Sequence, residues 1–70
     1  MTPQEIWERH QHEAEWEGYD RIDDYCLACN IHLEVDGYVF EGDGMITYPD
    51  DKEILELSCT TPEGETISII

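Results

Sequence analysis

Residues 31–40 hold the pattern that most restricts the fold. Ile31, Leu33 and Val35 alternate with His32 and Glu34, Asp36-Gly37 follows, and Tyr38 and Phe40 return beyond it. Asp-Gly is a preferred pair for a type I′ turn, whose two central residues need positive φ, and strict alternation marks a strand with one covered face. A two-residue turn sets the register. Val35 falls opposite Tyr38 and Leu33 opposite Phe40, all on one face, while His32 and Glu34 point the other way, opposite Glu41 and Val39. The chain is therefore committed to an antiparallel sheet with an apolar side.

Shorter patterns extend it. Glu41-Gly42-Asp43-Gly44 reads as a turn, residues 45–48 as a short strand stopped by Pro49, and Pro49-Asp50-Asp51 as the next turn. Residues 54–60 alternate again, with Leu55, Leu57 and Cys59 on one side and Glu56 and Ser58 on the other. After the turn Thr61-Pro62-Glu63-Gly64, residues 66–70 form a last strand bearing Ile67 and Ile69. An open strand edge there is able to pair two copies into a homodimer.

The N-terminus is helical. Thr2-Pro3-Gln4-Glu5 combines an N-cap, a proline at the first helical position and a Glu placed to complete a capping box. The helix is expected to run to about Glu17, with Gly18 as its stop. At roughly 100° per residue, Ile6, Trp7, His10 and Ala14 share one arc, and Glu8, Gln11, His12 and Glu15 lie away from it. Trp16 falls on the polar side, either folded over Tyr19 or exposed as an anchor for a partner. Residues 19–25 read as a loop or short strand; Asp20, Asp23 and Asp24 lack the Gly and terminal Glu of a calcium-binding EF-hand loop. The expected architecture is α+β, a single domain over residues 1–70, with one N-terminal helix packed on an antiparallel meander sheet of four or five strands.

Composition then decides what such a domain is for. The 70 residues carry 18 Asp and Glu against 3 Lys and Arg, a net charge of −15. A chain this small buries only about 60% of the surface its unfolded form exposes, so it has no room to enclose a substrate. No Gly-rich phosphate loop precedes a helix, and Cys29 and His32 have no orienting partner for nucleophilic catalysis. The expectation is a protein without enzymatic activity. The charge repels nucleic acid and anionic lipid and attracts basic surfaces. No apolar run approaches the roughly 20 residues of a membrane span, and no signal-peptide pattern opens the chain, so a cytoplasmic location is expected, that of the host if a phage encodes it. The carboxylates interleave with apolar positions along the chain rather than forming one disordered block. They serve either solubility in a salty cytoplasm or an acidic face that competes for a nucleic-acid groove.

Cys26-Leu27-Ala28-Cys29 is the one spacing with a specific chemical meaning. Two thiolates at the tip of a tight turn are able to share a tetrahedral zinc ion. Cys59, on the same side as Leu57, and His10, on the apolar arc, would complete a structural Cys3His site; His32 is the second choice of histidine. Plain buried thiols account for the same residues, since free Cys packs as a small hydrophobe.

Two functions follow. In the first, a compact acidic body docks on a basic nucleic-acid-binding protein and blocks or regulates it, through Glu8, Glu15, Trp16, Asp20, Asp23 and Asp24. In size, charge and absence of catalytic residues the chain resembles small phage or mobile-element inhibitors of host nucleic-acid enzymes, anti-restriction and anti-CRISPR proteins among them; the resemblance implies a DNA-mimic mode of action. In the second, the chain is a small zinc-binding structural module whose acidity is an adaptation to salt.

Overall fold

The computed structural model describes residues 1–16, 26–47 and 51–70. Helix α1 (Pro3–His10) and a short 3-10 turn (Gln11–Glu13) lead into strands β1 (Glu15–Trp16), β2 (Cys26–Val35), β3 (Tyr38–Thr47), β4 (Asp51–Thr60) and β5 (Thr66–Ser68). The five strands form one antiparallel sheet in the order β1-β2-β3-β4-β5. This is the expected α+β meander with a helix on one side.

The hairpin forms as the sequence dictates. Val35 pairs with Tyr38, Leu33 with Phe40, His32 with Glu41 and Glu34 with Val39. Asp36 and Gly37 both adopt positive φ, 49° and 84°, as a type I′ turn requires. The capping box is also present. The Thr2 hydroxyl accepts from the Glu5 N–H, and the Glu5 carboxylate accepts from the Thr2 N–H at 3.2 Å and the Thr2 hydroxyl at 3.0 Å.

α1 covers the sheet with Ile6 and Trp7, which join Ile31, Leu33, Phe40, Leu57 and Cys59 in the core. Trp7 and Phe40 meet with ring centroids 5.6 Å apart and planes tilted by 39°. Such a pair contributes about 1 kcal/mol beyond the area it buries. Cross-strand partners share a face, so the inner face also takes Cys29, Gly42, Gly44, Ile46 and Trp16.

Three sequence expectations are corrected. The helix does not continue to Glu17. It ends at His10, whose φ of −112° and ψ of 0° leave the helical region, and Glu15 and Trp16 pair with His32 and Ile31. A short helix has little stability of its own, and the strand gains ladder hydrogen bonds and an inward position for the Trp16 indole. Gly18, the expected stop, lies outside the described residues, as do the expected loop at 19–25 and Pro49 and Asp50 of the turn at 49–51.

Second, Glu41-Gly42-Asp43-Gly44 is no turn but the middle of β3, paired on both sides by β2 and β4. The glycines answer to the close approach of other groups. A Cβ at Gly42 would collide with the Glu56 backbone carbonyl, and one at Gly44 with the Trp16 ring. Glycine inside a strand is required where another chain segment comes this near.

Third, β4 begins at Asp51 and carries a bulge. Asp43 pairs with Glu56 and Gly44 with Ile54, which leaves Leu55 without a partner on β3. The alternation expected of Leu55, Leu57 and Cys59 therefore breaks. Leu57 and Cys59 are fully buried, Ile54 packs against the core in place of Leu55, and Leu55 is 49% exposed. One extra residue flips every side chain on one side of it.

Candidate protein-binding face

The pleat sorts the charges. Opposite the helix, the sheet presents Glu15 on β1, Glu34 on β2, Glu41 and Asp43 on β3, and Asp51, Glu53 and Glu56 on β4, every one of them exposed. Along a strand, same-face neighbours stand about 6.8 Å apart and adjacent strands about 4.8 Å apart. The outcome is a lattice of carboxylates on a rigid support. The described cations lie elsewhere. Lys52 belongs to the inner face, its Nζ 5.1 Å from the centroid of the Trp16 ring, and Arg9 sits on α1 beside the sulfur of Met1.

His32 on β2 stands among these carboxylates. Its cross-strand neighbours are Glu15 on β1 and Glu41 on β3, and its Nε2 lies 3.4 Å from Glu34 Oε2. Around Gly42, Asn30, His32, Glu41, Asp43, Glu56 and Ser58 border an open concavity of about 470 Å³. Ser58 donates its hydroxyl hydrogen to the Glu41 carbonyl oxygen at 3.3 Å and so ties the rim of β4 to β3. Polar groups of this kind orient a cationic or hydrogen-bonding partner.

The residues expected to form the partner site are not gathered as expected. Glu8 and Glu15 would share a helical surface if the helix were continuous. Instead Glu8 is exposed on α1, where Gln4 donates to it at 3.2 Å, and Glu15 is on the far side of the sheet. Trp16 is half-buried against the core, over Gly44 and Lys52, rather than a free exposed anchor. Asp20, Asp23 and Asp24 lie outside the described residues. Local residue preference reads Asp43 and Asp51 as turn residues and leaves Glu53 between a turn and a strand, which hides their place on the acidic face. The outward parity of His32 and Glu34 was the signal that pointed to it.

Of the expected zinc ligands, Cys29 and Cys59 do not stand together. Cys26 and Cys29 lie within one continuous strand, not at the tip of a turn. Cys29 pairs with Gly44 and Cys59 with Phe40, on opposite sides of β3. Four residues of strand separate those positions, about 14 Å, whereas Zn–S bonds of about 2.3 Å require the sulfurs to be near neighbours. His10 is occupied with Glu13, its Nδ1 3.1 Å from Glu13 Oε2. Among the described residues no three His, Cys, Asp or Glu side chains converge to hold a metal ion. Burial raises the pKa of the Cys59 thiol, the behaviour of a packed hydrophobe.

Among the described residues no helix is long and apolar enough to cross a membrane. Comparison with known proteins finds no match to the chain among family models, curated proteins or solved structures.

Proposed function

We propose that this chain is a small acidic interaction protein that binds a basic nucleic-acid-binding protein and competes with the polynucleotide for its groove. The observation that carries this reading is the cluster of carboxylates on one face of the sheet. One face of the sheet concentrates Glu15, Glu34, Glu41, Asp43, Asp51, Glu53 and Glu56, and the described Lys and Arg lie off it. A charge excess serving only solubility has no need to place Asp43 directly opposite Glu56 across strands, where like charges weaken the sheet.

On this reading the protein has no catalytic task. The long field of a −15 body steers it toward cationic surfaces. The carboxylate lattice then takes the positions of phosphates against Lys and Arg side chains of the groove, in the manner of phage-type inhibitors of host nucleic-acid enzymes.

The test is capture at low salt from host extract, elution by a salt gradient, and then competition with a labelled oligonucleotide for each protein recovered. Displacement of the oligonucleotide by stoichiometric amounts of this protein supports the reading. Partners that bind this protein and their oligonucleotide independently overturn it.

A further inference from the structure

The free edge of β5 is the part of the surface least like the rest. The side chains of residues 66–70 carry no charge in a chain of net −15, and Thr66, Ile67 and Ser68 are exposed. Ile67 and Ile70, 38% and 53% exposed, are two of the large hydrophobics on the surface. Natural sheets blunt their edges with Lys, Pro or charged side chains; Thr66–Ser68 has none of these and is short.

Its hydrogen-bonding pattern is self-complementary. Ile69 donates to the Leu57 carbonyl at 2.9 Å and the Glu65 carbonyl accepts from Thr61 at 2.8 Å, so residues of that parity spend their backbone groups on β4. By antiparallel alternation the N–H and C=O groups of Thr66 and Ser68 face outward. A two-fold axis through Ile67 sets Thr66 against Ser68 of the second copy, and Ser68 against its Thr66, in hydrogen-bonded pairs. It also sets Ile67 against Ile67 on the apolar face at the close, roughly 4.5 Å Cα spacing of a non-hydrogen-bonded pair.

We propose that two copies of this chain associate through antiparallel pairing of their β5 edges into a continuous ten-stranded sheet. The occupant is a second copy because the edge matches itself in both hydrogen bonds and apolar side chains, whereas contact through the outer face of the sheet would press carboxylates together. The two-fold axis stands perpendicular to the sheet, so both acidic faces point the same way. Repulsion between the two bodies opposes the pairing, and salt screens it. The dimer therefore strengthens with salt, whereas binding to a basic protein weakens, which separates this inference from the proposed function.

Sedimentation equilibrium of the full chain across concentration, at low and high salt, tests it. The expected mass shifts from 8.2 kDa toward twice that value at high salt. Ser68→Pro, which removes an outward N–H, and Ile67→Glu, which charges the centre of the pair, each hold the protein monomeric with an unchanged circular dichroism spectrum. Ile67→Cys under mild oxidation gives a disulfide-linked dimer that the parent chain does not form. A monomer at every salt and concentration with no cross-link from Ile67→Cys overturns the proposal. So does a dimer that neither Ser68→Pro nor Ile67→Glu disturbs.

Discussion

Asp43 on β3 and Glu56 on β4 are direct cross-strand partners on the exposed face of the sheet, two carboxylates brought together where a neutral pair would hold the strands better. Opposed like charges in this geometry cost a few tenths of a kcal/mol to about 1 kcal/mol. Glu56→Gln is therefore expected to stabilise the isolated protein by about 0.5 kcal/mol at low salt, with the gain vanishing at high salt. Urea unfolding at two salt concentrations measures it.

Charge at the same pair has the opposite effect on function. Reversing charge at Asp43 and Glu56 with Lys is expected to weaken binding to the captured basic partner at least tenfold, about 1.4 kcal/mol. The same reversal at Glu63 and Glu65, in the turn before β5, changes affinity by less than about threefold. Calorimetry on the two double variants decides whether a shaped face or the bulk charge is responsible; equal losses would favour bulk charge.

Gly42 and Gly44 face different neighbours and differ in what they tolerate. A Cβ at Gly42 meets backbone of β4, which has nowhere to move, so Gly42→Ala is expected to destabilise by about 3 kcal/mol. At Gly44 the nearest obstacle is the Trp16 side chain on the short edge strand β1, which is able to swing away, with the Glu53 carbonyl oxygen next at 3.1 Å. Gly44→Ala is expected to cost about 1 kcal/mol and to shift the tryptophan fluorescence toward that of an exposed indole.

The capping box has a pH signature. The backbone N–H and then the hydroxyl of Thr2 hydrogen-bond the Glu5 carboxylate and hold its pKa below the ordinary value. A depressed carboxylate stabilises the folded state above the unfolded pKa, and that contribution is lost as pH falls through the folded one. In an NMR titration Glu5 should therefore lose its proton at lower pH than in Thr2→Ala, which also loses about 1 kcal/mol of stability.

Cys59 should behave as core. Its thiol is fully buried, and desolvation raises its pKa. Alkylation at mildly alkaline pH is expected to reach it only after denaturant is added, and Cys59→Ser is expected to cost about 2 kcal/mol as an unsatisfied buried hydroxyl. Dialysis against a chelator should leave the melting temperature unchanged; a fall would revive a metal role for the cysteines.

What the chain determines by itself is what neighbouring residues decide among themselves. Thr2, Pro3 and Glu5 cap a helix through contacts three residues apart, Asp36-Gly37 closes the hairpin because of its own φ preferences, and the alternation from Ile31 to Phe40 turns His32 and Glu34 outward. The remainder depends on partners distant in sequence. The helix stops at His10 because β2 offers Glu15 and Trp16 a strand to pair with; Gly42 and Gly44 stay extended because β4 and the Trp16 ring need the space a side chain would fill; Leu55 turns out because one bulge in β4 reverses the alternation beyond it. The acidic face arises from that second group. Local preference reads Asp43 and Asp51 as turn residues, and only the ladder between β3 and β4 sets Asp43, Asp51, Glu53 and Glu56 side by side.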